Sequence, residues 1–383
     1  MARSIYGVAG EGFGHSSRSH LSGQYRIEKG HEVLVAASRR SLSYLRKHFG
    51  GRVHEIAGLS LVYQDGNLLP IKTFTANLSR VLSNRRTNRE LYRTVFDPFC
   101  PELAISDCEP FNARWAWRHG IPFLSIDHQH LLTMCEPEHP PDEWIPRFNA
   151  ESATRCHYTG AAAYVILGFF LVPTKNASAV LAPPVVRPIV SSFEPTCGDH
   201  IVLYTTDGSW QDKLVSILNS FHEFRIYGFD ENRRFGNCRF KQTSTEEFMG
   251  DSARCRGVIA TAGFSLLSEC LYFRKKMLLL PVQGQCEQIV NATYAEKLGL
   301  ALNRASLKAQ TLIEYWDALH TPTADCDDIL WPDNRAFCSI LNQTLDSVSP
   351  QARAIRARRT PSSTMPRTAA RGWQPCHDDT RVA

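Results

Sequence analysis

Short apolar runs alternate with helical stretches along the first half of the chain. Apolar residues predict strands over residues 5–9 and 31–37, and the segment between them predicts a helix over residues 16–29. Further strands are predicted at residues 103–106 and 122–126. Strands that alternate with helices at this spacing are typical of an α/β unit with a parallel sheet.

The alternation is interrupted by a proline-rich stretch at residues 182–195 and then resumes. Beyond it, strands are predicted at residues 201–204, 225–227, 257–261 and 277–281. The pattern therefore predicts an α/β fold with two Rossmann-like domains. The predicted boundaries are an N-terminal domain at 1–181, a linker at 182–198, a C-terminal domain at 199–348 and a disordered basic tail at 349–383.

Length and composition exclude several classes of protein. A chain of 383 residues, 43% of them hydrophobic, can bury the cores of two domains. The longest apolar run, residues 161–173, is shorter than the roughly 20 residues that a membrane-spanning helix needs, so a buried strand is predicted there. The twelve cysteines form no CxxC pair and no zinc-like cluster, and no secretory stretch opens the chain, which predicts reduced thiols in the cytoplasm.

A formal net charge of +5 is mild for this length, but arginines are concentrated in one predicted helix. They are Arg80, Arg85, Arg86, Arg89 and Arg93. The cluster fits either a solvated helix face or a contact with an anionic membrane. Stacking aromatic residues are not interleaved with these arginines, so we expect no nucleic-acid partner.

The segment GEGFGHSSR, residues 10–18, joins the first predicted strand to the first predicted helix. Its glycines, among them Gly12 and Gly14, let backbone amides and the positive helix end approach an anionic ligand. The spacing differs from the GxGxxG of dinucleotide-binding proteins, and Glu32 opens the second strand rather than closing it, so a dehydrogenase is a poor fit. The glycines form either a tight turn alone or a ligand site, and His15 favours a site with a general base or phosphate contact.

A second glycine turn lies in the other half, in TAGFSLLSE, residues 261–269. Gly263 precedes a predicted helix, so the backbone amides around Phe264 and Ser265 can face a phosphate. Glu269 lies one turn into that helix. It either accepts hydrogen bonds from ribose hydroxyls or is an ordinary solvated glutamate.

The loop after the following strand concentrates amide and carboxylate groups suited to sugar hydroxyls. These residues are Gln283, Gln285, Glu287 and Gln288. One such constellation in each domain predicts a ligand held in the cleft between the domains. The DxD at Asp325 and Asp327 precedes a predicted helix, which favours a helix N-terminal acid cluster over a metal site, so no metal is predicted.

Together these motifs resemble the glycosyltransferases of the two-domain GT-B architecture. Residues 10–18 resemble the GxGxGHxxR motif of a bacterial and archaeal group of these enzymes. Residues 101–130 resemble the acidic strand-and-loop segment of that group, and residues 261–269 and 284–292 its donor-binding region. The chain is more distantly similar to the N-acetylglucosaminyltransferase that forms lipid II and to plant small-molecule glucosyltransferases, which carry a histidine in place of Thr261.

The resemblance implies that an acceptor hydroxyl displaces a nucleoside diphosphate directly, with inversion at the anomeric carbon and without a metal or other cofactor. His15 would act as general base, oriented by Asp107, with Glu109 or Asp127 as alternative partners. The implied donor-binding residues are Gly12, Gly14, Thr205, Gly263, Phe264, Ser265, Glu269, Gln285, Glu287 and Gln288. Arg18, Glu109 and His128 are expected on the acceptor side, although His128 and His130 also fit ordinary loop histidines.

The implied partners are a nucleoside-diphosphate sugar, UDP-linked by resemblance, and an acceptor glycan, lipid or small molecule. A hexosyl or N-acetylhexosaminyl group would be transferred, for a cell-envelope glycan, in the cytoplasm or at the inner face of the membrane. Two alternatives share the donor site. They are a non-hydrolysing nucleotide-sugar epimerase and a non-catalytic nucleotide-sugar-binding protein.

Overall fold

A computed structural model gives the fold over most of the chain. It describes residues 2–10, 13–58, 63–64, 67–68, 86–140, 143–158, 160–205, 217–218, 222–321 and 326–359. Within these ranges, two separate seven-stranded sheets carry the fold, one in each half of the chain.

The N-terminal sheet is parallel throughout, with strand order β3-β2-β1-β6-β7-β8-β9. Its strands are β1 (Arg3–Val8), β2 (Glu32–Ala37), β3 (Val53–Glu55), β6 (Leu103–Asp107), β7 (Phe123–Asp127), β8 (Ala163–Leu167) and β9 (Ala179–Ala182). A separate two-stranded ladder pairs β4 (Tyr63–Gln64) with β5 (Asn67–Leu68). Every residue of β6, β7 and β8 is buried, as expected for parallel strands covered on both faces.

Helices connect these strands. They are α1 (Phe13–Glu28), α2 (Arg39–Phe49), α3 (residues 86–99, with a π-helical segment at Tyr92–Phe96), α4 (Pro110–Arg118), α5 (Leu131–Met134) and α6 (Trp144–Tyr158). In α3, Arg86, Arg89 and Arg93 are exposed, whereas Asn88 and Tyr92 face inward. The other two arginines of this cluster, Arg80 and Arg85, lie outside the described residues.

The C-terminal sheet has the order β12-β13-β11-β10-β14-β15-β16, parallel except for the β12–β13 edge pair. Its strands are β10 (Ile201–Tyr204), β11 (Phe224–Tyr227), β12 (Arg233–Phe235), β13 (Cys238–Phe240), β14 (Gly257–Ala260), β15 (Met277–Leu279) and β16 (Ala301–Asn303). The helices of this half are α7 (Thr245–Arg254), α8 (Phe264–Tyr272), α9 (Cys286–Lys297), α10 (Ala309–Ala318) and α11 (Asn334–Arg359).

Helix α11 corrects two of the predicted boundaries. It packs against β8, β9 and α1 of the N-terminal half, with Phe337 and Leu341 completely buried in the core that includes those strands. The last element of the predicted C-terminal domain therefore belongs to the N-terminal core. The helix also continues to Arg359, so residues 349–359 are not the disordered tail that composition predicts; residues 360–383 lie outside the described residues.

The second DxD acid, Asp327, lies in a turn, and the next helix begins only at Asn334. The predicted helix N-terminal acid cluster is therefore wrong at this position, whereas Asp325 lies outside the described residues. Among the helices of the described residues, none is both long enough and apolar enough to cross a membrane. Ten cysteines of the described residues are free thiols.

Candidate active site

The strand order brings the first glycine loop beside the end of β6. Val8 of β1 pairs with Asp107 of β6, so α1 begins next to the Asp107 carboxylate. His15, in the first turn of α1, places Nδ1 2.7 Å from Oδ1 of Asp107. Of the three carboxylates left open as partners by the sequence, the structure pairs His15 with Asp107. Gly12 lies outside the described residues.

Asp107 is completely buried, and three further hydrogen bonds hold it. Arg18 donates Nη2 to Oδ1 at 2.6 Å and Nε to Oδ2 at 2.9 Å, and Ser19 donates its hydroxyl to Oδ2 at 3.1 Å. Burial alone would lower the pKa of Arg18, but the charge and hydrogen bonds of Asp107 outweigh it and raise that pKa above its usual value. The carboxylate is therefore ionised, paired and fixed in position.

The same contacts determine which nitrogen of His15 carries its proton. Nδ1 of His15 has two neighbours, Oδ1 of Asp107 at 2.7 Å and Nη2 of Arg18 at 3.1 Å. Nη2 donates to the nearer Oδ1 at 2.6 Å, and a carboxylate only accepts, so Nδ1 donates to Asp107 and the neutral ring keeps an unprotonated Nε2. The His15 side chain is 16% exposed and lines the cavity described below. This is the orientation that a general base needs, with one nitrogen anchored and the other free to accept a proton.

The donor atoms of His15, Asp107 and Cys108 lie within 4.8 Å of one another, close enough to share a metal ion. The surrounding groups do not fit that use. The Arg18 guanidinium already binds both oxygens of Asp107, and the Cys108 thiol donates to Gln129 Oε1 at 2.9 Å. Burial also raises the pKa of that thiol well above its usual value, which opposes the thiolate that a metal would require.

The two other carboxylates predicted as alternative partners of His15 make different contacts. Glu109 caps α4, where its two carboxylate oxygens accept the backbone N–H groups of Phe111 at 3.0 Å and Asn112 at 2.6 Å. It is buried, burial raises its pKa to about 7, and it does not line the cavity, so the structure places it away from the expected acceptor side. Asp127 lies 2.7 Å from Nδ1 of His130; burial raises the pKa of Asp127, but His130 and Ser125 lower it further, below its usual value.

A cavity of about 310 Å³ separates the two halves of the molecule at this point. Its N-terminal wall includes His15, Arg18 and His128, and its C-terminal wall includes the start of α8. The two walls approach closely at Gly14, where a Cβ atom would overlap the Ser265 hydroxyl. Gly14 therefore permits α1 to lie against α8, with His15 in the next position.

On the C-terminal wall, α8 begins at Phe264 with Gly263 as its N-cap, which has no side chain to occupy the amides of the first turn. Glu269 lies one turn further on, 6% exposed, and does not face solvent. Arg187 donates Nε to Glu269 Oε1 at 2.7 Å. Burial raises the pKa of Glu269, and Arg187 partly offsets that rise.

Family comparison gives this geometry its context. A model of glycosyl transferase family 1 matches residues 2–319, most of the chain. The chain belongs to that family. The enzyme is therefore a glycosyltransferase, and its two mostly parallel sheets have the GT-B architecture, which confirms the predicted resemblance to GT-B glycosyltransferases.

Solved structures with the same fold share little sequence with this glycosyltransferase. The calicheamicin glycosyltransferase CalG4 aligns with a TM-score of 0.58 and 15% identity, over 94% of this chain and all of CalG4. UGT71G1 from Medicago truncatula, complexed with UDP-glucose, aligns with a TM-score of 0.58 and 12% identity, over 92% of this chain and 98% of UGT71G1. MurG from Acinetobacter baumannii aligns with a TM-score of 0.52 and 12% identity, over 93% of this chain and all of MurG. No curated protein sequence matches the chain.

The loop after β7 of the glycosyltransferase reaches the C-terminal wall. His128 is 1% exposed, and its ring stacks on that of Phe264 with centroids 3.9 Å apart. Gln129 donates Nε2 to Glu287 Oε2 at 3.2 Å. His128 is thus a junction residue between the two halves as well as part of the cavity wall.

Of the other predicted donor residues, Glu287 lines this cavity, whereas Gln285, Gln288 and Thr205 do not. Gln285 occupies the N-cap position of α9 without a capping hydrogen bond from its side chain. Gln288 donates to Gln285 at 2.7 Å and accepts the backbone N–H of Val282 at 3.1 Å, so this pair shapes the loop. Thr205 follows β10 and is buried.

Sequence reasoning did not identify Arg187, Gln129 or Asn291 as site residues. Arg187 lies in the proline-rich linker and reaches Glu269 across 82 positions, and Asn291 contacts His128 across 163 positions. An arginine in a linker of few charged residues was the one available signal. Arg18 was predicted on the acceptor side, but its guanidinium is engaged by Asp107.

Proposed function

We propose that this glycosyltransferase transfers a sugar from a UDP-sugar to an acceptor hydroxyl with inversion, using His15 as general base and no metal ion. One observation carries the proposal. His15 is anchored to Asp107 at 2.7 Å while its ring lines the cavity that α8 closes on the other side. A base and an anion-binding helix end thus face the same space.

The attacking hydroxyl must lose a proton as its oxygen bonds to the anomeric carbon. Nε2 of His15 accepts that proton, and the imidazolium formed is stabilised by the Asp107 carboxylate. The anomeric carbon–oxygen bond breaks at the same time, and the bonding pair leaves with the nucleoside diphosphate. Attack opposite to the leaving group inverts the anomeric configuration.

The departing diphosphate gains charge that the protein must stabilise. The first-turn amides of α8 and its positive helix end supply fixed dipoles there, in the role of a metal ion. Glu269 accepts the ribose hydroxyls, and Glu287 accepts hydroxyls of the donor sugar. The complex of UGT71G1 with UDP-glucose supports uridine as the base.

The acceptor is a glycan, a lipid or a small molecule, and the transferred group is a hexose or an N-acetylhexosamine. The exposed arginines of α3, Arg86, Arg89 and Arg93, fit contact with an anionic membrane surface in the cytoplasm. The proposal thus places the enzyme near cell-envelope glycans. Transfer activity measured with anionic vesicles and with neutral vesicles tests this part. Membrane contact predicts higher activity with the anionic vesicles.

The experiment that tests the proposed function is a calorimetric and thermal-shift screen of the purified chain against UDP, dTDP, GDP and NAD. A ligand of the folded state raises the apparent melting temperature, so UDP is expected to stabilise the wild type. Glu269→Gln should lose roughly tenfold or more in UDP affinity, because each hydrogen bond to a charged group contributes about 1.5–3 kcal/mol. Stabilisation by NAD alone, or by no nucleotide, would contradict the proposal.

Arg187→Met is expected to shift the pH dependence of UDP binding to higher pH. Glu269 already has a raised pKa, and removal of the Arg187 charge raises it further. The ionised carboxylate that binds ribose is present above this pKa and lost as pH falls through it, so affinity should decline at a higher pH in the variant. Calorimetric titration with UDP between about pH 5 and pH 8 measures the shift.

Arg187→Lys is the matched control, since it keeps the positive charge beside Glu269. Its pH profile should stay close to that of the wild type. Comparison between variants also cancels the titration of the UDP phosphate itself. Identical profiles for Arg187→Met and wild type would show that Arg187 does not tune Glu269.

A further inference from the structure

Both ring nitrogens of His128 face oxygen atoms at the junction of the two halves. Nδ1 lies 2.7 Å from the carbonyl oxygen of Leu167 at the end of β8. Nε2 lies 3.0 Å from Oδ1 of Asn291 in α9. A carbonyl oxygen only accepts hydrogen bonds, so Nδ1 must carry a proton.

The orientation of the Asn291 amide is fixed from its other side. Nδ2 donates to the carbonyl oxygen of Ala262 at 3.1 Å, and Asn291 is completely buried. Turning the amide over would set Oδ1 against that carbonyl oxygen. Oδ1 therefore faces His128 and needs a donor from Nε2. A neutral imidazole has a single N–H, so the two contacts together require the doubly protonated ring.

We propose that His128 is held as an imidazolium cation and is a positioning residue that contributes to holding the two domains in this arrangement. Its ring stacks on Phe264 at 3.9 Å with an angle of 15° between the planes, a favourable place for a cation. Through Phe264 and Asn291 it contacts α8 and α9, the two helices that carry the proposed donor residues. Its consequence for sugar transfer, which is to hold the donor opposite His15, rests on the proposed function.

The charged groups around His128 favour this assignment. Glu287 in α9 has Oε1 4.0 Å from Nε2, the one carboxylate within that distance among the described residues. Phe264 of α8 and the Leu167 carbonyl of β8 are uncharged. The other ionisable groups packed near the ring are engaged elsewhere: Asp127 with His130, His15 and Arg18 with Asp107, and Cys108 with Gln129.

The proposal predicts the direction of a pH effect on domain closure. Protonated His128 makes both contacts, so the arrangement of the two halves seen here is favoured at low pH and weakens where the ring loses its second proton. The neutral ring would set a nitrogen lone pair against Oδ1 of Asn291, in a site where both residues are buried. Donor affinity and transfer are expected to weaken as this arrangement of the two halves is lost.

The first arm of the test is nitrogen NMR of the full chain with labelled histidine, using His128→Gln to assign the resonances. The expected result is that both ring nitrogens of His128 have protonated shifts at about pH 6.5, the ordinary midpoint for histidine. An unprotonated nitrogen on His128 under these conditions would overturn the proposal. This arm needs no nucleotide, so it is independent of the proposed function.

The second arm is small-angle scattering of the ligand-free protein at about pH 6 and about pH 9, on either side of the ordinary histidine titration. The wild type should be compact at the lower pH and expanded at the higher one. His128→Gln and Asn291→Ala should be expanded at both, whereas His130→Gln, a buried histidine of the same loop, should follow the wild type. If His128→Gln does not fold, Asn291→Ala keeps the histidine and removes the acceptor that demands its second proton.

Either of two results overturns the proposal: a wild-type radius that does not depend on pH, or variants as compact as the wild type at about pH 6. UDP binding by the wild type is measured alongside. If scattering and NMR behave as expected but no nucleoside diphosphate binds, the proposed function is wrong and the protonated junction stands. If UDP binds and the junction does not respond to pH, the protonated junction is wrong and the proposed function stands.

Discussion

Replacing His15 with Ala is expected to lower kcat by roughly 10²- to 10⁴-fold, the usual contribution of a positioned general base. UDP affinity should change little, because the proposed donor contacts lie on the opposite wall, at the start of α8 and at Glu269. The measurement pairs steady-state kinetics with calorimetric titration of UDP. A loss confined to kcat is the signature of an interaction made in the transition state.

His20→Gln is the matched control for this variant. His20 lies on the same helix, with its ring stacked on His48 at 3.9 Å, and it does not line the cavity. It should retain wild-type kcat. A His15→Ala variant with near-normal kcat, or one that loses UDP affinity and kcat in parallel, would assign His15 to donor binding or to structure instead of proton transfer.

The predicted strands were largely correct because parallel strands buried on both faces leave continuous apolar runs in the sequence. Residues 201–204 were predicted and observed as β10 without change, and β6 differs from its prediction only by including Asp107. That single residue explains why the His15 partner stayed open. A carboxylate at the last strand position points differently from one in the following loop, and the sequence does not distinguish the two.

Long-range pairs could not be predicted from the sequence, because no local pattern encodes which buried charge meets which. Glu269 reads equally well as a solvated helix residue, yet burial of its carboxylate is compensated by Arg187 from the linker. Glu109 is a different case, because its partners are local: its position before Pro110 makes it the N-cap of α4, although its acidic character suggested the cleft. The burial of Glu269 is what only the folded chain reveals.

Helix α11 shows that composition alone does not decide whether a segment is disordered. Its C-terminal residues are rich in arginine and poor in apolar side chains, which predicts disorder. The buried Phe337 and Leu341 earlier in the same helix anchor it on the N-terminal core, and the helix then extends to Arg359. Helix formation is cooperative, so an anchored segment can carry a polar extension that would not form alone.

Arg18→Met is expected to cause the largest loss of stability among simple variants of the site. Asp107 is completely buried, and Arg18 supplies two of its hydrogen bonds and its compensating charge. Breaking a buried ion pair from one side leaves an uncompensated charge and costs about 3–5 kcal/mol. Urea unfolding should show this as a clear fall in the transition midpoint, with transfer activity reduced because Asp107 also orients His15.

The double variant Arg18→Met/Asp107→Asn separates charge compensation from packing. Removing both charges should recover much of the lost stability, because a neutral pair no longer carries the desolvation penalty of an isolated carboxylate. Activity should stay low, since the amide of Asn cannot stabilise the His15 imidazolium as a carboxylate does.

Arg46→Met is the surface control for Arg18→Met. Arg46 lies 3.7 Å from Glu55 in an exposed pair, whose loss should cost less than about 1 kcal/mol. Equal destabilisation by Arg18→Met and Arg46→Met would show that Asp107 does not depend on Arg18, and the double variant would then be no more stable than Asp107→Asn alone.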